Sequence, residues 1–353
     1  MSAAERLNAL LVGKTIDRVP FSPFDLSCGV GWFSARNVGY PIASVYNDPE
    51  KSFWAQVWTQ EQYNYDGSPI FGYASYGGWE FGGEIKYPID EWEQAPSVIR
   101  HPVESEEDID NLELPDVKTA GMLPLAMQFS RMQEQFGLPI VFPCGSPFTC
   151  AGNVVDFSML CLWIIKKPAL VHQLLRLVTD HILQVARYWV DTFGPERVTA
   201  RDILPFETNQ IISPKQFEEF AFPYLKEVHE KVLGMGVKRF NTHICGEQNL
   251  NLPYLAQIPM GDGGIASFGH EVDLDTAIKY FGDKCIIAGN VEPVVIQMGT
   301  PQQVYELAKR CIEKGKYAPR GYILTAGCDI PPLVPPYNIY IMMKAVNDVG
   351  WYD

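Results

Sequence analysis

Short apolar runs rich in β-branched residues alternate along this chain with longer stretches whose apolar positions recur at helical spacing, the pattern of parallel βα units. The runs at 19–26, 68–72, 138–144, 197–204, 237–244, 264–268, 284–289 and 322–326 predict eight strands. Helix starts are marked by a capping residue followed by proline in Asp48-Pro49-Glu50, Ser213-Pro214 and Thr300-Pro301. The pattern over 156–193 predicts two helices broken near Lys167-Pro168. Eight such units in 353 residues predict an α/β fold of the TIM (β/α)8 barrel type, as a single domain over 1–353. The connection after the second strand, 73–136, is a long insertion, and its acidic stretch 104–110 reads as solvated loop or helix start. There is no internal repeat, low-complexity segment or linker.

Bulk properties narrow the function classes. Hydrophobic residues make up 47% of the chain and charged residues 20%, which suits a globular protein with a large core. No apolar run is long enough to span a bilayer, and the first 21 residues lack a long apolar segment and a small-residue cleavage site. A cytoplasmic enzyme with no membrane association is the expectation. The formal charge of -14 repels phosphate backbones, so a nucleic-acid partner is not expected. Such acidity suits either solubility or docking to a basic protein face.

Eight cysteines stand at 28, 144, 150, 161, 245, 285, 311 and 328. In a reducing compartment a chain of this size needs no disulfides, so they divide into buried fillers and metal or redox groups. Cys161, Cys285 and Cys311 lie in apolar stretches and read as core, while Cys144 and Cys150 flank the loop after the third strand.

The sharpest chemical signal is Asn241-Thr242-His243-Ile244-Cys245-Gly246. Residues i and i+2 of a strand point to the same side, so His243 and Cys245 can face one barrel mouth together. Imidazole and thiolate are zinc's preferred ligands. A third ligand would come from another strand end, and Gly327-Cys328-Asp329-Ile330-Pro331-Pro332 directly follows the eighth predicted strand. One nitrogen and two sulfurs would leave a position open for a substrate atom. Alone, a His-x-Cys pair also fits a buried histidine beside a filler cysteine.

The C-terminal half, over about 200–345, resembles the uroporphyrinogen decarboxylase superfamily, and within it the cobamide-linked methyltransferases of methanogens and acetogens. The resemblance is carried by Ile211-Ile212-Ser213-Pro214, Phe222-Pro223-Tyr224, His243-Ile244-Cys245-Gly246, Gly289-Asn290-Val291-Glu292-Pro293 and Gly327-Cys328-Asp329-Ile330-Pro331-Pro332. It implies that His243, Cys245 and Cys328 are zinc ligands. It also implies methyl transfer to or from a corrinoid (cobalamin) on a partner protein, since this chain has no Asp-x-His-x-x-Gly segment to hold one. The decarboxylase branch would require an Arg-Gln-Ala-Gly-Arg segment after the first strand and Phe-Ser-Asp after the second. This chain has Phe24-Asp25-Leu26-Ser27-Cys28-Gly29 and Phe71-Gly72-Tyr73 there, which argues against that branch.

Two directions of transfer follow from the resemblance: demethylation of a small donor such as a methoxyaromatic or methanol, or methylation of a thiol such as coenzyme M. Aromatic residues at the first two βα loops, Trp32, Phe33, Phe71, Tyr73, Tyr76, Trp79 and Phe81, favour a flat apolar pocket and hence O-demethylation; they could equally be core. Asp202 and Glu207 end the fourth strand and could orient a substrate or support the zinc-binding histidine, or could anchor loops. Asn290 is a substrate-side candidate or a turn former. His270 follows the sixth strand, where the related methyltransferases tend to carry an acidic residue near the zinc. It is a candidate fourth ligand or proton carrier, with Glu271 as competitor. His101, His172, His181 and His229 read as insertion or helix-face residues. A zinc scaffold and a non-enzymatic corrinoid-binding subunit are the rival classes, and self-association as a homo-oligomer stays open.

Overall fold

The computed structural model describes residues 1–22, 30–72, 75–90, 93 and 95–353. A two-stranded antiparallel hairpin, β1 (Glu84–Lys86) and β2 (Ser97–Arg100), lies within the insertion. Six strands then pair in parallel and in sequence order: β3 (Ile140–Pro143), β4 (Val198–Ile203), β5 (Phe240–Ile244), β6 (Ile265–Phe268), β7 (Ile286–Val291) and β8 (Tyr322–Ala326). Each matches a strand expected from the sequence, to within a few residues at its ends. Helices between them cover the outer face, as right-handed βα crossovers require.

The first expected strand joins the sheet by one parallel bridge, Phe21 to Leu324, with Ser22 N donating to Leu324 O at 3.0 Å and Leu324 N to Pro20 O at 2.9 Å. Its positions 23–26 fall outside the described residues. The second expected strand, 68–72, forms no strand, and side-chain amides explain why. Pro69 has no N–H to give, and Gln133 Nε2 donates to Pro69 O at 2.7 Å while Gln133 Oε1 accepts from Val141 N of β3 at 3.3 Å. Gln56 does the same for Ile70, accepting from its N–H at 2.8 Å and donating to its carbonyl at 2.9 Å. Two buried glutamines thus stand where a ladder would have been.

The marked helix starts are observed. Asp48 caps the helix Pro49–Tyr63, and capping boxes Ser213/Gln216 and Thr300/Gln303 open the helices beginning at Pro214 and Pro301. The long pattern splits into Phe157–Lys166 and Pro168–Phe193. The insertion is more ordered than a loop: besides β1 and β2 it holds a short helix Glu106–Asp110 and the helix Leu123–Gln135, whose Leu123, Ala126 and Phe129 are buried. Among the described residues no helix is long and apolar enough to cross a membrane.

The base of the barrel is closed by the N-terminal helix Ala3–Leu11. Leu10 and Ile16 pack with Ile265, Ile286, Ala288 and Ile323. Beside them Asp66 accepts from Arg6 at 2.5 Å, from Arg18 at 2.8 Å and from Phe21 N at 2.9 Å, while Asp17 takes Arg6 and the N-terminal amine.

Candidate metal centre

Strand alternation sorts the barrel residues into two sets. Ala200 and Asp202, Thr242 and Ile244, and Ala266 and Phe268 face the helices. Arg201, Asn241, His243 and Ser267 face the interior, and the register sets them side by side. His243 therefore looks into the mouth, and Cys245, two residues on, shares its side.

Cys328 comes from the loop after β8. Close backbone approach brings it in: a Cβ on Gly327 would lie 2.8 Å from His270 N, so only glycine lets the β6 and β8 loops touch there. Gly246 has φ +67°, which turns the chain away just after Cys245. The result is one cluster. The ligand atoms of His243, Cys245 and Cys328 all lie within 4.8 Å of one another, and the two sulfurs are 3.4 Å apart.

The donor set suits a soft divalent cation. His243 Nδ1 lies 2.9 Å from Ser267 Oγ, and with that nitrogen donating, the Nε2 lone pair is free. Nε2 is buried and has no hydrogen-bond partner, an uncompensated atom that a cation would satisfy. The Cys328 thiol is held well below its ordinary value, first by the hydrogen bond with Cys245 and then by His243, against the opposing effect of burial. An imidazole nitrogen and two cysteine sulfurs are a donor set that fits zinc.

The cluster opens on a cavity of about 520 Å³. Its walls include Tyr76 and Val98 from the insertion, Phe157 and Phe206, whose ring centroids are 4.3 Å apart, and Arg201 of β4. Ser267, Phe157, Phe206 and the hairpin wall are site residues that the motifs did not reveal. Ser267 depends on sheet register, and the others on loop folding.

The remaining candidates are distributed differently. Asp202 borders the cavity, but its Oδ2 bonds His229 Nε2 at 2.9 Å on the helix side, and Ser267 holds His243 instead. His229 is no surface residue: it is fully buried, stacked on Phe240 at 3.7 Å, with Nδ1 2.8 Å from Pro259 O. His181 is buried as well, packed against Phe81 and Tyr76, and burial lowers it to about 4. Glu207 is buried and accepts from Ser146 Oγ and from Thr149 Oγ1 at 2.8 Å, tying the β4 loop to the helix Pro147–Val154. Burial raises it to about 7, opposed by those hydrogen bonds.

Of the aromatic wall expected at the first loops, Tyr76 lines the cavity, whereas Trp32 and Phe71 do not. Trp32 is fully buried and donates to Ile330 O at 2.6 Å, bracing the loop that follows Cys328. Phe71 packs on Phe129 in the core, and Tyr73 is outside the described residues. Asn290 Nδ2 donates to Gly269 O and Val272 O, so it anchors the β6 loop. His270 is exposed, with Nδ1 3.3 Å from Glu271 Oε2, and is not one of the converging groups. Cys285 and Cys311 are core as expected, with Cys144 and Cys150 also buried; Cys161 is half-buried.

The family model described as uroporphyrinogen decarboxylase matches residues 2–349. The methylcobamide:CoM methyltransferase MtbA of Methanosarcina mazei is 26% identical over 274 residues, covering 76% of this chain and 75% of that protein. A uroporphyrinogen decarboxylase of Xanthomonas oryzae is 24% identical over 262 residues, covering 70% and 72%. A solved methyltransferase structure from Methanosarcina mazei superposes with a TM-score of 0.82 at 22% identity over 99% of both chains, which confirms the TIM barrel. The chain belongs to the uroporphyrinogen decarboxylase family, as an enzyme of the methyltransferase class.

Proposed function

We propose that this protein is a zinc-dependent methyltransferase that exchanges a methyl group between a small substrate and a corrinoid on a partner protein. The carrying observation is the convergence of His243, Cys245 and Cys328 beside a cavity at the barrel mouth. Zinc bound there would supply Lewis acidity, favouring the deprotonated form of a thiol or weakening an ether's methyl–oxygen bond. The chain's own residues do the rest. Ser267 holds the imidazole in one orientation, and Gly327 and Trp32 fix the approach of Cys328. Glu207 ties the loop that carries Phe206 to Ser146 and Thr149 on the facing wall of the cavity.

Size and lining favour a substrate with a ring-sized apolar body, such as a methoxyaromatic donor, because Phe157, Phe206 and Val98 supply flat apolar contact in a cavity of about 520 Å³. A second reading, methyl transfer to a thiol of the coenzyme M kind, is supported by the names of the MtbA relatives. Zinc analysis of wild type and Cys328→Ser, paired with transfer assays on both substrate kinds using one corrinoid protein, tests the proposal. Full zinc occupancy in both proteins would refute the ligand set.

A further inference from the structure

Behind the cavity wall stands a buried acid that is not a member of the His–Cys–Cys cluster. Glu207 has no exposed surface, and its carboxylate accepts from Ser146 Oγ, from Thr149 Oγ1 at 2.8 Å and from Thr149 N at 3.3 Å. Ser146 and Thr149 line the cavity, so Glu207 stands one hydrogen bond behind its surface. The loop that carries the acid is laced to the chain around Cys245. Leu204 N donates to His243 O at 3.0 Å, Asn209 N to Glu247 O at 2.7 Å, and Asn251 Nδ2 to Glu207 O at 2.8 Å.

The two hydroxyls differ. Thr149 Oγ1 gives its hydrogen to Glu207 and accepts from Phe206 N at 3.4 Å, so it is occupied on both sides. Ser146 Oγ also gives its hydrogen to Glu207, but among the described residues it accepts none. Its lone pairs can therefore take a proton from the cavity while its own hydrogen moves inward. Burial leads the causes that bring the carboxyl to about 7, and the hydrogen bonds of Ser146 and Thr149 oppose it. Near neutrality the acid can hold a proton or lack one. The charged and titratable groups on the elements packed around it are Arg201, Asp202, His243, Cys245, Glu247 and Cys150, and none of them is a leading cause of the shift.

We propose that Ser146 and Glu207 form a proton relay opening on the cavity, in which Glu207 stores the single proton that methyl transfer at sulfur or oxygen displaces. The inference rests on the proposed methyl transfer and supplies the proton step it needs. With a thiol as methyl acceptor, the S–H and Ser146 O–H bonds break while a new Ser146 O–H and a Glu207 O–H form, and the electron pair stays on sulfur. With an ether as donor the path runs backwards. The oxygen keeps the electron pair of its lost methyl bond and takes a proton from Ser146, which Glu207 replaces. Glu207 touches no substrate; it acts through the serine.

Infrared difference titration of the metal-free protein reads the store without any turnover: a protonated-acid band should fade at about pH 7 and be missing from Glu207→Gln. Methyl transfer by the zinc-loaded protein with one corrinoid partner reads the relay. A thiol acceptor should react more slowly as pH falls through about 7, and an ether donor more slowly as pH rises through it. Glu207→Gln should lose that limb and about a hundredfold in kcat, with KM little changed. Ser146→Ala should match it while keeping the infrared band, and the double variant should be no slower than either single one. Thr149→Val should keep the limb and move it to higher pH, because the carboxylate loses a donor. A limb that survives Glu207→Gln, full activity in Ser146→Ala, or a carboxyl that titrates in the ordinary range would overturn the relay. The infrared titration and the wild-type profile stand even where a variant fails to fold. Titration near 7 without methyl transfer on either substrate kind would sink the proposed function and the relay with it. Methyl transfer with no limb near 7 would sink the relay alone.

Discussion

At the base of the barrel Arg6, Arg18, Asp17 and Asp66 interlock, with Asp66 fully buried and accepting from two arginines and a backbone N–H. At the mouth, His243 Nε2 and Asn241 Oδ1 are buried without partners, and two sulfurs face each other at 3.4 Å. Both ends use the inward-facing layers of the same strands. The base spends its polar groups on one another and is filled by Leu10 and Ile16. The mouth leaves polar groups unspent around a cavity. Unsatisfied buried atoms cost stability, so their concentration at one end marks where a ligand completes the structure.

The contrast can be broken from either side. The largest expected effect is at the mouth: Cys328→Ser should abolish zinc retention and reduce methyl transfer by at least about a hundredfold, with circular dichroism unchanged. If the variant unfolds instead, the cluster serves the fold rather than the chemistry. At the base, Asp66→Ala strips the partner from two buried guanidinium groups and should cost about 3–5 kcal/mol in urea unfolding, while activity per folded molecule persists.

Glu207 gives a prediction in pH. Its folded value of about 7 lies above that of an unfolded glutamate, so the folded state favours the protonated form. Its stabilising contribution is complete below about pH 4.3 and is lost as pH rises through 7, a decline of about 3.5 kcal/mol. Glu207→Gln should flatten that slope in denaturation curves collected across this range. A slope of opposite sign would mean the carboxylate is stabilised as an anion. The smallest effect is expected for Ser267→Ala, which removes the hydrogen bond that orients His243. Zinc affinity should fall about 10- to 100-fold, measured by competition with a chelator, with thermal stability of the metal-free protein nearly unchanged.

Much of this architecture was legible in the residues. Strands β3 to β8 announce themselves as apolar runs because each is buried on both faces, and the capped, proline-led helices carry local signals that do not depend on the rest of the fold. The convergence of three side chains was legible because His243 and Cys245 obey strand alternation and Cys328 sits at an abrupt strand exit. The 68–72 segment was misread because nothing local reveals that Gln56 and Gln133 will occupy its ladder positions. His229 was misread because a helix-borne histidine is buried only if a partner such as Asp202 awaits it.

The order of βα units and the candidates for the cluster at the mouth are written in spacing and alternation, which are properties of neighbouring positions along the chain. Which serine orients His243, where Arg201 is held relative to the sulfurs, and that Trp32 braces a loop rather than lining a pocket depend on register and loop approach. Those are contacts between residues far apart in the chain, and they take form when the sheet curls and its loops meet.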